Sequence, residues 1–118
     1  MNKPLWKPKK PKKSQMYDFI QLINRNYKLK ITKYEDLHNW SVNNISDFWK
    51  EIWNYGNIIY SFKYTAAVKD LNKMPGAKWF INSKLNFAEN LLRFKDDKVA
   101  IYYKNEDKSV LSLTYKEL

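Results

Sequence analysis

The chain has no cysteine, which excludes disulfides, thiolate zinc or iron–sulfur sites and a thiol nucleophile. It has one histidine, His38, so neither a histidine metal cluster nor a two-imidazole relay can be assembled. Only two glycines occur, Gly56 and Gly76, and neither precedes Lys-Ser/Thr, which excludes a Gly-rich phosphate loop. No apolar run approaches the roughly 18 residues of a membrane span. The N-terminus is basic but has no apolar segment behind it, so it does not read as a secretory signal. Pro4, Pro8 and Pro11 break up the acid-free opening segment and prevent the continuous amphipathic helix of a transit peptide. A soluble, cytoplasmic chain is expected. Arginine is nearly absent: of 22 basic residues only Arg25 and Arg93 are not lysine. Base-edge readout and bidentate phosphate gripping favour the arginine fork, so a specific nucleic-acid reader is not indicated.

What is present is aromatic and lysine-rich. Its 118 residues are the size of one domain or less. Five Trp, nine Tyr and six Phe exclude low-complexity disorder beyond the N-terminal arm. The net charge is +10, but six lysines (Lys3, Lys7, Lys9, Lys10, Lys12, Lys13) lie in the first thirteen residues without an acid, leaving +4 for the rest. The Lys excess, beside 13 Asn and 9 Ile, also matches the drift of an AT-rich coding sequence.

Residues 2–13 read as an extended Pro/Lys arm, with Leu5 and Trp6 as its one adhesive point; a Trp so placed is expected to tuck into a groove on the body. Ser14 offers an N-cap, and Met16, Phe19, Ile20, Ile23 and Tyr27 fall at helical spacing, predicting a helix over 15–26. Thr32-x-x-Glu35 reads as a capping box before Tyr34, Leu37 and Trp40. Ser41 and Ser46 are both possible caps for the next helix, on which Ile45, Phe48, Trp49, Ile52 and Trp53 share a stripe. Gly56 stands where a left-handed residue closes that helix. Ile58, Ile59, Tyr60 and Phe62 read as strand or extended segment. Pro75-Gly76 is a turn, and Trp79-Phe80-Ile81 reads as a short buried extended run. Asn86 with Glu89 opens a further helix bearing Phe87, Leu91 and Phe94. Val99–Tyr103 and Val110, Leu111 and Leu113 predict a β-hairpin around the polar turn 105–108. Thr114-x-x-Glu117 is another helix-start box with no helix behind it before Leu118. A lone hairpin is marginal, so both features point to a piece of something larger.

Little here carries chemistry. The acidic pairs Glu35-Asp36, Asp96-Asp97 and Glu106-Asp107 are sequence neighbours that do not face each other on a helix, and they read as turn or cap residues rather than a general acid and base. His38 reads as a surface or partner-contact histidine, with catalysis the alternative. The Trp49/Trp53 stripe is either core or a ligand-stacking platform. The Lys arm is either a solvated tail or a polyanion contact. Catalytic, cofactor-binding and metal-ligating residues are therefore all read as none.

Several blocks nevertheless occur in a telling order: Leu5-Trp6 with Pro8; Ser14-Gln15-Met16 with Phe19; Tyr34-Glu35-Asp36-Leu37 then Trp40-Ser41-Val42; Phe48-Trp49 with Trp53; Met74-Pro75-Gly76-Ala77 then Trp79-Phe80; the run 85–92; and Leu113-Thr114-Tyr115 with Glu117-Leu118. In these the chain resembles the N-terminal region of the acetoacetyl-CoA synthetases, within the acyl-CoA synthetase (adenylate-forming, AMP-binding) superfamily. The resemblance implies an α+β fold: a mainly helical extension followed by the hairpin that begins a large α/β domain. It divides the chain into a basic arm (1–13), a helical domain of acetyl-CoA-synthetase type (14–95) and the start of the AMP-binding domain (96–118). It implies an acid–thiol ligase that activates acetoacetate with ATP to an acyl-adenylate and passes the acyl group to CoA. ATP, Mg²⁺ and CoA are implied for the full-length enzyme, with no cofactor in this chain. The family's phosphate loop and catalytic Lys lie beyond Leu118, so the 118 residues are expected to be structural and inactive alone, with the remainder of the ligase as partner. The alternatives are an acetyl- or propionyl-CoA synthetase segment, or a basic module for nucleic acid or anionic membrane. Two departures stand out. The arm is richer in Lys than the family's usual form, and Ile81-Asn82-Ser83 replaces a stretch where the family tends to Pro and Gly.

Overall fold

The computed structural model describes residue 6, residues 8–107 and residues 109–118; the Leu5, Lys3, Lys7 and Lys108 positions named above lie outside them. Four helices and two separate two-stranded antiparallel sheets make an α+β chain, as the sequence predicts. The described residues form two compact units. One gathers the residues up to Asn57 with Ala66–Ile81, the other Ile58–Thr65 with Asn82–Leu118.

The first unit is built on three helices: α1 (Gln15–Tyr27), α2 (Tyr34–Asn43) and α3 (Ile45–Tyr55). Ser14 caps α1, its Oγ accepting from the Tyr17 N–H at 3.2 Å while donating to the Pro11 carbonyl at 2.6 Å. A short 3₁₀ turn, Pro11–Lys13, leads into it. The helical stripe of α1 turns inward as its spacing requires: Phe19, Ile20 and the fully enclosed Ile23 (0% exposed) join Ile31 and Leu37 as the core. Phe19 meets the edges of Phe48 and Tyr55 from α3, with ring centroids 6.1 and 5.2 Å apart.

The end of α1 is organised by Asn24. Its backbone carbonyl accepts from the N–H groups of Lys28, left-handed at φ 54°, and of Leu29. Its side-chain amide pairs with both backbone groups of Ile31, Oδ1 accepting from N–H at 2.7 Å and Nδ2 donating to C=O at 2.8 Å. The expected Thr32-x-x-Glu35 box does not form: α2 has Lys33 as its N-cap, without a side-chain cap. Neither Ser41 nor Ser46 caps α3. The helices nearly abut, Asn44 is both C-cap and N-cap, and its Nδ2 donates to the Trp40 carbonyl at 3.0 Å. Gly56 is right-handed (φ −71°) because its N–H still bonds to Ile52; the left-handed residue is Asn57 at φ 48°.

Strands β1 (Ala66–Lys69) and β2 (Lys78–Ile81) pair with Ala66 opposite Ile81 and Val68 opposite Trp79. The sequence had not separated out β1. Their connection contains the Pro75-Gly76 turn, with Gly76 at φ 136°, where any side chain is strained. Phe80 sits at φ 44°, an uncommon conformation for a bulky residue, with its ring 4.8 Å from that of Trp53.

In the second unit, Phe62 and Lys84 form an isolated antiparallel bridge, so residues 58–62 are extended without being a strand. Asn90 repeats the amide clamp of Asn24, pairing with the N–H and C=O of Ile59 at 2.8 Å each. Asn86 caps the short α4 (Phe87–Leu91), accepting from the Glu89 N–H at 3.1 Å. The hairpin forms as predicted, β3 (Val99–Lys104) against β4 (Val110–Thr114), with Ile101 opposite Leu113 and Tyr103 opposite Leu111. Asn82, one of the positions departing from the family's Pro/Gly tendency, adopts φ 64°. That is glycine's region, and Asn is a tolerated substitute there. Its Nδ2 donates to Thr65 Oγ1 at 3.2 Å.

Candidate functional site: exposed aromatic surfaces

The acidic pairs stay apart from any cleft chemistry. Glu35 and Asp36 are exposed on the first turn of α2. Asp96 accepts from Lys98, Asp97 lies 3.7 Å from the Lys116 ammonium, and Asp107 accepts from Ser109 at the hairpin turn. His38 is exposed; it tilts against Tyr34 at 6.2 Å and borders a 290 Å³ cleft with Met16, Leu37, Phe48 and Ile52. The cleft is lined mostly by apolar groups and presents no carboxylate or amine to His38. Among the described residues no group of three or more His, Asp or Glu side chains is placed to hold a metal ion.

The two tryptophans of α3 part company. Trp53 is core, against Phe80. Trp49 stands at the surface, edge-on to Trp79 with centroids 5.5 Å apart, and Trp79 is 45% exposed. The expectation of a buried Trp79-Phe80-Ile81 run is therefore corrected. A four-residue strand paired on one side only cannot cover a whole indole. Trp6 is 77% exposed and not tucked into a groove.

The second unit is more open still. Its α4 carries Phe87 at 76% and Leu91 at 58% exposed, four residues apart on the same side of the helix. The hairpin leaves Ile101, Tyr103 and Leu111 exposed together; these share a face by the alternation of the strands and their register, whereas a bulge between Val99 and Ile101 turns Val99 out of it. Near α4 lies an open 710 Å³ groove bordered by Ile59, Leu92, Arg93, Lys95, Tyr115 and Leu118. Contiguous apolar surface on this scale marks an interaction site in a soluble protein.

At the end of the chain, Thr114 and Glu117 form the box their spacing predicts. Glu117 Oε2 accepts from the Thr114 N–H (2.8 Å) and Oγ1 (2.9 Å), and the Glu117 N–H donates back to Thr114 Oγ1 (3.2 Å). The backbone bond from Thr114, followed by that from its hydroxyl, holds the Glu117 carboxyl below the ordinary glutamate range. A helix-starting turn is thus built in full.

The group that sequence reasoning missed is Glu51. It is 6% exposed, accepting from Asn26 Nδ2 at 3.1 Å and from the Tyr27 hydroxyl at 3.2 Å. Its donors come from another helix, so spacing along α3 gives no sign of them.

Residues 34–91 match the family model described as the acetyl-coenzyme A synthetase N-terminus. Over these residues the chain is similar to the N-terminal region of adenylate-forming enzymes. Within that class its sequence and fold match the N-terminal part of acetoacetyl-CoA synthetases. The acetoacetyl-CoA synthetase of Gallus gallus is 39% identical over 119 residues, covering 97% of this chain and 18% of that protein. The malonamoyl-CoA synthetase of Penicillium aethiopicum is 42% identical over 89 residues, covering 75% of this chain and 12% of that protein. The solved acetoacetyl-CoA synthetase from Streptomyces lividans superposes with a TM-score of 0.82 at 28% identity, again over 97% of this chain and 18% of that one. The chain thus spans under a fifth of the length of the relatives it matches. No described helix is long and apolar enough to cross a membrane.

Proposed function

We propose that these residues are the structural N-terminal part of an acetoacetate–CoA ligase, which clamps to the ligase body through its exposed aromatic surfaces. The carrying observation is the apolar exposure at Trp49, Trp79, Phe87, Leu91 and the hairpin face in a chain whose relatives are about five times longer. The body covers those faces. The Thr114–Glu117 box starts the next helix, and residues 96–118 open the AMP-binding domain. The parent enzyme uses ATP and Mg²⁺ to activate acetoacetate and passes the acyl group to CoA. That chemistry belongs to residues outside this chain, because the described side chains bring together neither a nucleophile with its base nor a metal-binding group. This region contributes positioning and burial.

The test is acetoacetate-dependent ATP–pyrophosphate exchange, comparing the 118 residues alone with the same chain extended to the relatives' length. The long chain exchanges and the short one does not. Exchange by the short chain overturns the structural assignment. The malonamoyl-CoA synthetase relative bears on the acyl group, so malonamate is run in parallel. Exchange by the long chain with malonamate and not with acetoacetate overturns the substrate.

A further inference from the structure

The first thirteen residues contain six lysines and no acid, and the first carboxylate in the chain is Asp18. Lys9, Lys10, Lys12 and Lys13 are all exposed. Among the described residues, the ion pairs engage Lys50, Lys73, Lys98 and Lys116, and none of the arm lysines. The run also has a fixed foot. Lys13 N–H bonds to the Lys10 carbonyl at 3.0 Å, and Ser14 bonds to Pro11 while capping α1. The family resemblance does not account for this charge, because the lysine enrichment is where the arm departs from it.

We propose that the Lys9–Lys13 run binds the surface of an anionic phospholipid bilayer. A bilayer presents smeared negative charge that asks for no particular donor geometry, and exposed lysine ammonium groups suit such a surface. An RNA partner fits less well, because the first thirteen residues contain no arginine fork for phosphate. The inference is independent of the ligase reading.

The test is co-sedimentation of the 118-residue chain with phosphatidylcholine vesicles containing about one-third phosphatidylglycerol, against phosphatidylcholine alone. Binding is expected to the anionic vesicles only, falling steeply between about 50 and about 200 mM salt as the surface potential is screened. Each lysine near such a surface contributes a factor of about five to partitioning, so the quadruple variant Lys9→Gln, Lys10→Gln, Lys12→Gln, Lys13→Gln loses at least about 100-fold. All four positions are exposed and outside the core, so the variant keeps the parent's helical circular dichroism. Three results would each overturn the proposal: no partition to anionic vesicles, equal partition to neutral ones, or a quadruple variant within about threefold of the parent. Capture by poly(U) without any vesicle binding also overturns it, in favour of RNA.

Discussion

Replacing Asn24 with leucine tests whether one side-chain amide holds the loop between α1 and α2. Asn24 pairs with both the N–H and the C=O of Ile31, at 2.7 and 2.8 Å, and Ile31 belongs to the core. Leucine has nearly the same volume but offers neither a donor nor an acceptor, so two buried backbone groups lose their partners together. Each such group costs about 1–3 kcal/mol when it cannot reach water. Asn24 itself is half-buried, so some water enters, and about 3 kcal/mol is expected for the pair. That is a large share of the 5–15 kcal/mol typical of a domain, and it corresponds to a melting point lowered by about 12–24 °C. Asn24→Asp keeps the acceptor for the Ile31 N–H but points a carboxylate oxygen at the Ile31 carbonyl. Folding then favours the protonated carboxyl, raising its folded-state pKa. The variant's deficit is therefore largest at neutral pH and narrows as pH falls through that raised value. Asn90→Leu is the internal control, since the same clamp there acts on the half-buried Ile59, whose backbone re-hydrates; about 1 kcal/mol is expected. The measurement is urea unfolding, followed for Asn24→Leu by the fluorescence of the helical unit's tryptophans, of which Trp53 lies in the core, and for Asn90→Leu by far-ultraviolet circular dichroism. An Asn24→Leu variant within about 0.5 kcal/mol of the parent would refute the clamp.

Three further outcomes follow from the same contacts. Glu51→Ala removes an acceptor for Asn26 and Tyr27 along with a buried side-chain stem, and should cost about 2–3 kcal/mol in urea unfolding; Glu51→Gln, which keeps one acceptor oxygen, should cost about half as much. Glu117 should titrate below the ordinary glutamate range in a side-chain NMR pH series, and Thr114→Ala should return it to that range. Because its folded pKa is lowered, the box's contribution is present above the unfolded pKa and lost as pH falls through the folded one; titration of the parent's Glu117 within the ordinary range would exclude this. Asn82→Val should destabilise by about 1–2 kcal/mol, since a β-branched residue is strained at φ 64°, whereas Asn82→Gly should fall within about 0.5 kcal/mol of the parent; thermal melts that rank valine equal to glycine would contradict the backbone assignment.

Local signals in this sequence were legible where one residue satisfies a donor a few positions away. The caps at Ser14 and Asn86 and the box at Thr114–Glu117 form at the predicted residues, because each needs only the backbone of its own turn. The hairpin was equally plain, with alternating apolar residues on both sides of a polar turn. Thr32 does not cap α2, whose N-cap is the next residue, Lys33; the contact that orders this loop, Asn24 on both backbone groups of Ile31, reaches across seven residues and has no signature in the capping pattern. The handover at Asn44 failed because two helices share one capping residue. Glu51 was invisible because burial of its carboxylate depends on donors from α1, and no period along α3 encodes them.

The aromatic residues divide along a similar line. Apolar spacing fixes which face of α3 turns inward, but it does not say how deep any one indole goes. Trp53 finds Phe80 and closes over, while four residues earlier Trp49 meets Phe48 and the exposed Trp79 and stays at the surface. In α4 the same kind of spacing places Phe87 and Leu91 together on an exposed side. Local hydrogen bonds at Ser14, Asn86 and Thr114 set where elements begin, but they do not determine which apolar side chains are covered; in the proposed ligase that covering comes from the body.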